Sequence, residues 1–248
     1  MHVAVIGALG SIGRRHTANL EALGCRVARV DAAFSGEEGF SLADVVAWGA
    51  DAVVIATPYA SHLIYVEWAI DRRLPVFCEK PLGSLDQLPR WREIAARSDL
   101  PVNQVGYQLR FQPRYRAMRA LVPRPRSGRF VCHFDMATWP GQRYGPAILE
   151  ASHELDLALD CGLTAADVEL VDGAEYYRGW RVNDAQSFAE THFHAAGELG
   201  EQMYRDELDH FLARVRGERD LGEACDLPQA LRVLEICHTV EQVAKETA

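Results

Sequence analysis

Lysine is nearly absent from this 248-residue chain: of 26 basic residues, all but Lys80 and Lys245 are arginine. Codon usage is enough to produce such a bias. A lysine kept in the interior still points to a need for an amine that can lose its proton, which guanidinium cannot. The six cysteines, Cys25, Cys78, Cys132, Cys161, Cys225 and Cys237, contain no C-x-x-C pair, so no zinc site and no disulfide framework is expected. No apolar run reaches the length of a membrane span, and His2–Ile6 lacks the basic flank and long apolar core of a signal peptide. A reducing, cytoplasmic setting without membrane contact is the expectation. The net charge of −9 and the scattered basic residues exclude nucleic acid, the short run from Arg124 to Arg129 being read as a solvated linker. A small-molecule partner is expected instead. There is no internal repeat and no low-complexity segment.

What is present is an ordinary globular composition, 48% hydrophobic and 25% charged, with length for one large domain or two modest ones. Residues 1–122 alternate short apolar runs with amphipathic segments. Strands are predicted at His2–Ile6, Arg26–Asp31, Ala52–Ala56, Pro75–Cys78 and Val102–Val105, with helices near Ser11–Leu23, Leu42–Trp48, Ser61–Asp71, Leu85–Ala96 and Arg114–Leu121. This is the pattern of an α/β, doubly wound parallel sheet. The basic, proline-rich Val122–Gly128 breaks the rhythm and predicts a boundary, with 123–248 a smaller α+β domain. Within it, strands are expected at Arg129–Thr138, Val168–Val171 and Ser187–His194. Helical segments are expected near Ile148–Leu159, Gln202–Val215 and Leu227–Glu246.

The first strand runs into Gly7-Ala8-Leu9-Gly10-Ser11-Ile12-Gly13, which opens directly into a helix. Glycines let such a turn tighten and the backbone approach a pyrophosphate, whose charge then meets the N–H groups of the helix N-terminus. The spacing is G-x-x-G-x-x-G rather than G-x-G-x-x-G. Asp31 closes the second strand 18 residues after Gly13, where an acid binds the adenosine ribose and repels a 2′-phosphate. NAD is therefore expected over NADP, although Arg14, Arg15 and Arg29 offer charge that would offset the repulsion.

Two further strand ends carry polar chemistry. Phe77-Cys78-Glu79-Lys80-Pro81 ends an apolar strand in a charged pair and a proline, at the edge where parallel sheets bind ligands. There the Lys80 amine would act as donor and acid/base to a hydroxyl or carbonyl, with Glu79 holding or tuning it. Thr57-Pro58 ends the third strand and would line the cofactor cleft, with His62 nearby at a helix start.

Together, Gly10-Ser11-Ile12-Gly13-Arg14-Arg15-His16, Thr57-Pro58 with His62, Cys78-Glu79-Lys80-Pro81-Leu82 and Arg110-Phe111-Gln112-Pro113 resemble the Gfo/Idh/MocA family of nicotinamide-dependent oxidoreductases. The resemblance resumes at Ser152-His153-Glu154-Leu155-Asp156, near Tyr204–Leu208 and near Ala230–Cys237. It implies that Lys80 contacts the reacting hydroxyl and that His153 acts as acid/base. It also implies a substrate among sugars, cyclitols and their derivatives. Arg110 is open between a substrate contact and a structural ion-pair partner, and Trp139, Arg143 and Tyr144 between pocket lining and packing.

Three departures accompany the resemblance. The glycine loop is one residue longer than the common spacing, and Leu149-Glu150 stand where many members place an aspartate, so Glu150 is a candidate replacement in the substrate site. The second domain is short, which leaves a homo-oligomer possible but not specified. Two other functions stay open: a lyase, epimerase or glycosidase using transient oxidation, and a catalytically idle nucleotide-binding scaffold. His192-x-His194 would share one strand face, but without a third ligand no metal is expected. No nucleophile elbow or P-loop is present, and adjacent Ser152-His153 do not form a nucleophile and base.

Overall fold

The structure, a computed structural model, describes the whole chain except residues 35–38, 135–146, 173–176, 183–185, 192–197, 219–221 and 248. It divides into two compact units, Met1–Gly106 with Gln202–Leu231, and Tyr107–Glu201 with Arg232–Ala248.

The first unit is built on five parallel strands, β1 (His2–Ile6), β2 (Arg26–Val30), β3 (Ala52–Ile55), β4 (Val76–Glu79) and β5 (Asn103–Gly106), in the order β2-β1-β3-β4-β5. The connecting helices are α1 (Ser11–Ala22), α2 (Leu42–Ala47), α3 (His62–Asp71) and α4 (Leu88–Ala95). The doubly wound expectation holds. From β1 the chain moves outward to β2 and then returns past β1 to β3, so the winding reverses between β1 and β3. Ligands bind at such reversals, at the carboxyl ends of the strands. Both faces of the sheet are covered, which is why the strands read as apolar runs rather than alternating ones: Val3, Ala4, Val5 and Ala52–Ile55 are all buried.

One of those faces is covered by a segment far away in sequence. Val3, Val5, Val54 and Phe77 pack with Leu20 of α1 and with Leu208, Phe211 and Leu212 of α7 (Glu198–Val215). The same C-terminal stretch seals the sheet edge. Val105 N–H donates to Cys225 O at 2.7 Å, Asn103 Oδ1 accepts from Leu227 N–H at 2.8 Å, and the Arg214 guanidinium donates to Asn103 O at 2.8 Å. An edge strand presents unpaired main-chain groups, and here they find partners. The compact units therefore differ from a contiguous split at 122/123. The sheet needs apolar cover and an edge partner that residues 1–122 do not supply, and Tyr107 onwards belongs with the second unit.

The second unit holds α5 (Pro113–Leu121), β6 (Gly128–Phe134), α6 (Ser152–Asp160), β7 (Val168–Asp172), β8 (Tyr177–Val182) and β9 (Gln186–Thr191). Its sheet runs β7-β6-β8-β9, with β6–β7 parallel and the other pairs antiparallel. Strand β8 was not predicted, because Tyr-Arg-Gly-Trp-Arg-Val does not alternate cleanly. Helix α6 starts at Ser152, after a short 3-10 turn at Ala147–Leu149, rather than at Ile148. Helix α8 (Leu227–Thr247) begins in the first unit's segment and ends in the second's. Among the described residues no helix is long and apolar enough to cross a membrane, and all six cysteines are free thiols.

The glycine turn after β1 makes a direct test of this packing. A Cβ on Gly13 would lie 2.0 Å from Gly7 O, whereas one on Gly10 meets nothing nearer than 3.3 Å. Gly13→Ala should lower unfolding free energy by about 3 kcal/mol and Gly10→Ala by about 1 kcal/mol or less. Urea denaturation compares them, and equal losses would contradict the packing described.

Candidate active site

The glycine turn is fixed by its own main chain and by the acid at the end of β2. Gly7 takes φ +86°, a region open to glycine, and a Cβ there would lie 2.7 Å from Ala56 O at the end of β3. The N–H groups of Gly7 and Ala8 both reach Val30 O, at 2.8 and 3.2 Å, and Gly10 N–H donates to Gly7 O at 3.1 Å. Asp31 accepts from Leu9 N–H at 2.9 Å through one oxygen and from Ala33 N–H at 3.0 Å through the other. The acid and the loop are thus one assembly. Gly10 caps α1 without a side-chain hydrogen bond, and no acidic residue occupies the first turn. The N–H groups of Ser11, Ile12 and Gly13, one turn from the helix start, have no acceptor within the helix. Their partial positive charge suits an anion.

At the end of β3, Ser61 Oγ lies 2.9 Å from Thr57 Oγ1 and 2.8 Å from Pro58 O. His62 is only 1% exposed and sits between two main-chain carbonyls, with Nε2 2.8 Å from Thr57 O and Nδ1 3.1 Å from Pro81 O. Burial pulls its pKa below the ordinary histidine value, with the carbonyls opposing. The His62 ring faces the protein's own backbone, tying β3's end to the segment after β4.

At the end of β4, Glu79 is buried and its Oε1 accepts from His16 Nε2 at 2.6 Å. Its Oε2 accepts from Lys80 N–H at 3.2 Å. Gly106 of β5 leaves room for this carboxylate, since a Cβ there would lie 3.1 Å from Oε2. The Glu79 carboxylate is turned into the fold, toward His16 and the Lys80 N–H. Lys80 follows, partly exposed, and the Lys80–Pro81 bond is cis. His16 gave no signal of its own in the sequence beyond its place in the Gly-Arg-Arg-His run, because its partner lies 63 positions away.

In the second unit, His153 is the second residue of α6, buried, with its ring edge-on to Tyr107 at 5.6 Å between centroids. Two arginines hold that helix. Arg110 makes a two-bond pair with Asp156, at 2.8 and 2.7 Å, and lies 3.3 Å from Asp160, which also accepts from Tyr115 OH at 2.5 Å. Arg178 pairs with Glu154, at 2.7 and 2.6 Å, and with Glu150. Burial pushes the Glu154 carboxyl up and Arg178 draws it down. Arg110, 4% exposed, is thus an ion-pair partner of Asp156, and Glu150 pairs with Arg178. Trp139, Arg143, Tyr144, His192 and His194 lie outside the described residues. Among those described, no cluster of three or more His, Cys, Asp or Glu is arranged for a metal ion.

Residues 1–107 match the family model described as "Oxidoreductase family, NAD-binding Rossmann fold" of the GFO_IDH_MocA group. Through this segment the chain resembles the Gfo/Idh/MocA oxidoreductases. Curated relatives include an inositol 2-dehydrogenase of Streptomyces avermitilis, 33% identical over 183 residues, 63% of this chain and 51% of that one. Another, from Corynebacterium glutamicum, is 30% identical over 178 residues, again 63% of this chain and 52% of the relative. The chain spans about half the length of the curated relatives it matches. Similar solved folds include the UDP-N-acetylglucosamine 3-dehydrogenase of Acidithiobacillus ferrooxidans, with TM-score 0.73, 19% identity and coverage of 97% of this chain and 96% of that one. Scyllo-inositol dehydrogenase of Lactobacillus casei, solved with NAD(H) and scyllo-inositol, gives TM-score 0.68 at 16% identity, over 98% of this chain and 96% of that one.

The residues fit the dinucleotide of this Gfo/Idh/MocA domain. Gly10 lies close to the main chain, a Cβ there meeting Gly7 O at 3.3 Å, the first turn of α1 offers uncapped N–H groups, and Asp31 is held beside them.

Two measurements check these assignments. Arg110→Met leaves Asp156 buried without its partner and should cost about 3–5 kcal/mol in urea denaturation. A smaller loss than 1 kcal/mol would mean the pair does not hold the helix. His62 takes up its proton at lower pH folded than unfolded, so its contribution is full above about 6.5 and declines as pH falls below that value. Thermal melts from neutral pH to about pH 5 should therefore fall more steeply for the wild type than for His62→Gln. Parallel curves would contradict a ring held neutral by burial.

Proposed function

We propose that this chain is an NAD-dependent oxidoreductase acting on a hydroxyl or carbonyl of a sugar, cyclitol or sugar derivative, with Lys80 and His153 as its acid/base pair. The observation that carries the reading is the glycine turn locked to Asp31 at the point where the winding reverses. The strand end bearing Lys80 belongs to the same sheet edge. The curated inositol 2-dehydrogenase relatives support the substrate class. Bound here, the nicotinamide dinucleotide would accept or supply the hydride.

The chain's own residues do the rest. Gly10, Ser11, Ile12 and Gly13 offer main-chain N–H groups to the pyrophosphate, and Asp31 accepts from the ribose hydroxyls and repels a 2′-phosphate, favouring NAD over NADP. Thr57 and Pro58 wall the cleft. When hydride leaves a carbinol carbon, the hydroxyl proton must leave as well, and in the reverse direction a proton must return to the oxygen. An amine at Lys80 and an imidazole at His153 are suited to hold and pass that proton at neutral pH.

Titration with NADH and NADPH, read by energy transfer from tryptophan, should show micromolar binding with NADH preferred. Turnover with inositols and nucleotide sugars should then fall about 10²–10⁴-fold in Lys80→Ala and in His153→Ala while NADH binding persists. Unchanged turnover would remove the acid/base assignment. No binding of either nucleotide would overturn the NAD-dependent reading, and cofactor that copurifies without net reduction would favour transient oxidation.

A further inference from the structure

The residues on either side of Lys80 are each held by a buried histidine from a different helix. Before it, Glu79 is bound by His16 of α1, whose ring is 0% exposed and flanked edge-on by Phe77 at 5.3 Å and Tyr204 at 6.0 Å. The same carboxylate accepts the Lys80 N–H through its second oxygen. After it, the Pro81 carbonyl meets Nδ1 of His62 of α3, whose Nε2 meets Thr57 O. Tyr204 is itself covered by the Arg15 guanidinium, 4.7 Å from the ring centre, so the wall behind His16 is closed from both sides.

Burying a carboxylate and two imidazoles is unfavourable unless each finds a partner, and apolar side chains of similar volume would hold α1 and α3 on the sheet equally well. What apolar side chains cannot do is fix direction. A hydrogen bond of 2.6 Å between two groups without rotational freedom sets where the Glu79 carboxylate points, and through its second oxygen where the Lys80 main chain starts. We propose that His16 and His62 are positioning residues for Lys80, linking the helix that opens at the glycine turn and the end of β3 to the amine. The inference rests on the reading of Lys80 as the acid/base, since otherwise its aim would not matter. His16 touches no reacting group and works through Glu79. His62 works through the Pro81 carbonyl, which accepts from the ring in its Nδ1–H tautomer, the neutral ring having one N–H for its two carbonyl neighbours.

The near-absence of lysine makes this measurable without turnover. Reductive methylation with 13C-formaldehyde labels only Lys80, Lys245 and the terminal amine, so each gives an assignable NMR line, confirmed by Lys80→Arg and Lys245→Arg. A held Lys80 should give a line displaced from that of Lys245. His16→Gln keeps an N–H at the reach of Nε2, while His16→Asn is equally polar but too short to reach Glu79. The displaced line should survive in His16→Gln and move toward the Lys245 position in His16→Asn, and also in His62→Leu and Gly106→Ala, which perturb the second clamp and the carboxylate's seat. Circular dichroism melts show which variants are folded, and the Gln/Asn pair, matched in polarity, keeps the comparison available if His62→Leu unfolds. A Lys80 line unchanged in His16→Asn overturns the proposal for His16, and one unchanged in a folded His62→Leu overturns it for His62. Failure of the functional reading looks different: the line shifts as described, but Lys80→Ala turns over normally.

Discussion

The first unit depends on a single close approach, that of the turn after β1 to the end of β3. Gly7 and Gly13 have no space for a Cβ because Ala56 O and Gly7 O already occupy it. That contact fixes the start of α1, and α1 carries His16 into the layer beneath β4. One steric constraint at the winding reversal therefore sets the direction of the uncapped helix terminus, the position of Asp31 against Leu9, and the depth at which Glu79 meets its partner. The glycine turn and the strand end that carries Lys80 draw on the same backbone, which is why a small change in the turn reaches both.

Much of this was legible in the sequence. Parallel strands buried on both faces produce runs such as Val3-Ala4-Val5-Ile6 and Ala52-Val53-Val54-Ile55, and the intervening helices start and stop at residues with clear local preferences. The glycine turn and Asp31 could be placed because their chemistry is local or lies at a fixed spacing. The element after β4 was recognisable by its charged pair and proline.

What was not legible is long-range and side-chain specific. The cover that α7 gives to Val3, Val54 and Phe77 depends on residues roughly 130 to 210 positions apart, and no periodicity in Gln202–Val215 announces which apolar face it meets. His62 read as a helix-start residue near the cofactor because its ring direction is a tertiary property, set by Thr57 O and Pro81 O. Arg110 read as either a ligand contact or an ion-pair partner and Glu150 as a candidate substrate residue, and in the fold each has an oppositely charged partner, Asp156 and Arg178. Buried ion pairs are ambiguous at the level of sequence for this reason: the same residue types serve binding and internal pairing.

The threading of residues 202–231 back into the first unit has a consequence for how the molecule comes into being. Synthesis proceeds from the N-terminus, and a segment often folds as it emerges. Here the β5 edge and one apolar face stay uncovered until Cys225, Leu227 and the Leu208–Leu212 turn have left the ribosome, by which time most of the second unit has been made. The unit that starts first finishes last. Contacts of such large separation close slowly, so the nascent Rossmann sheet passes through an interval with an open strand edge, and that interval is where the chain is most exposed to aggregation.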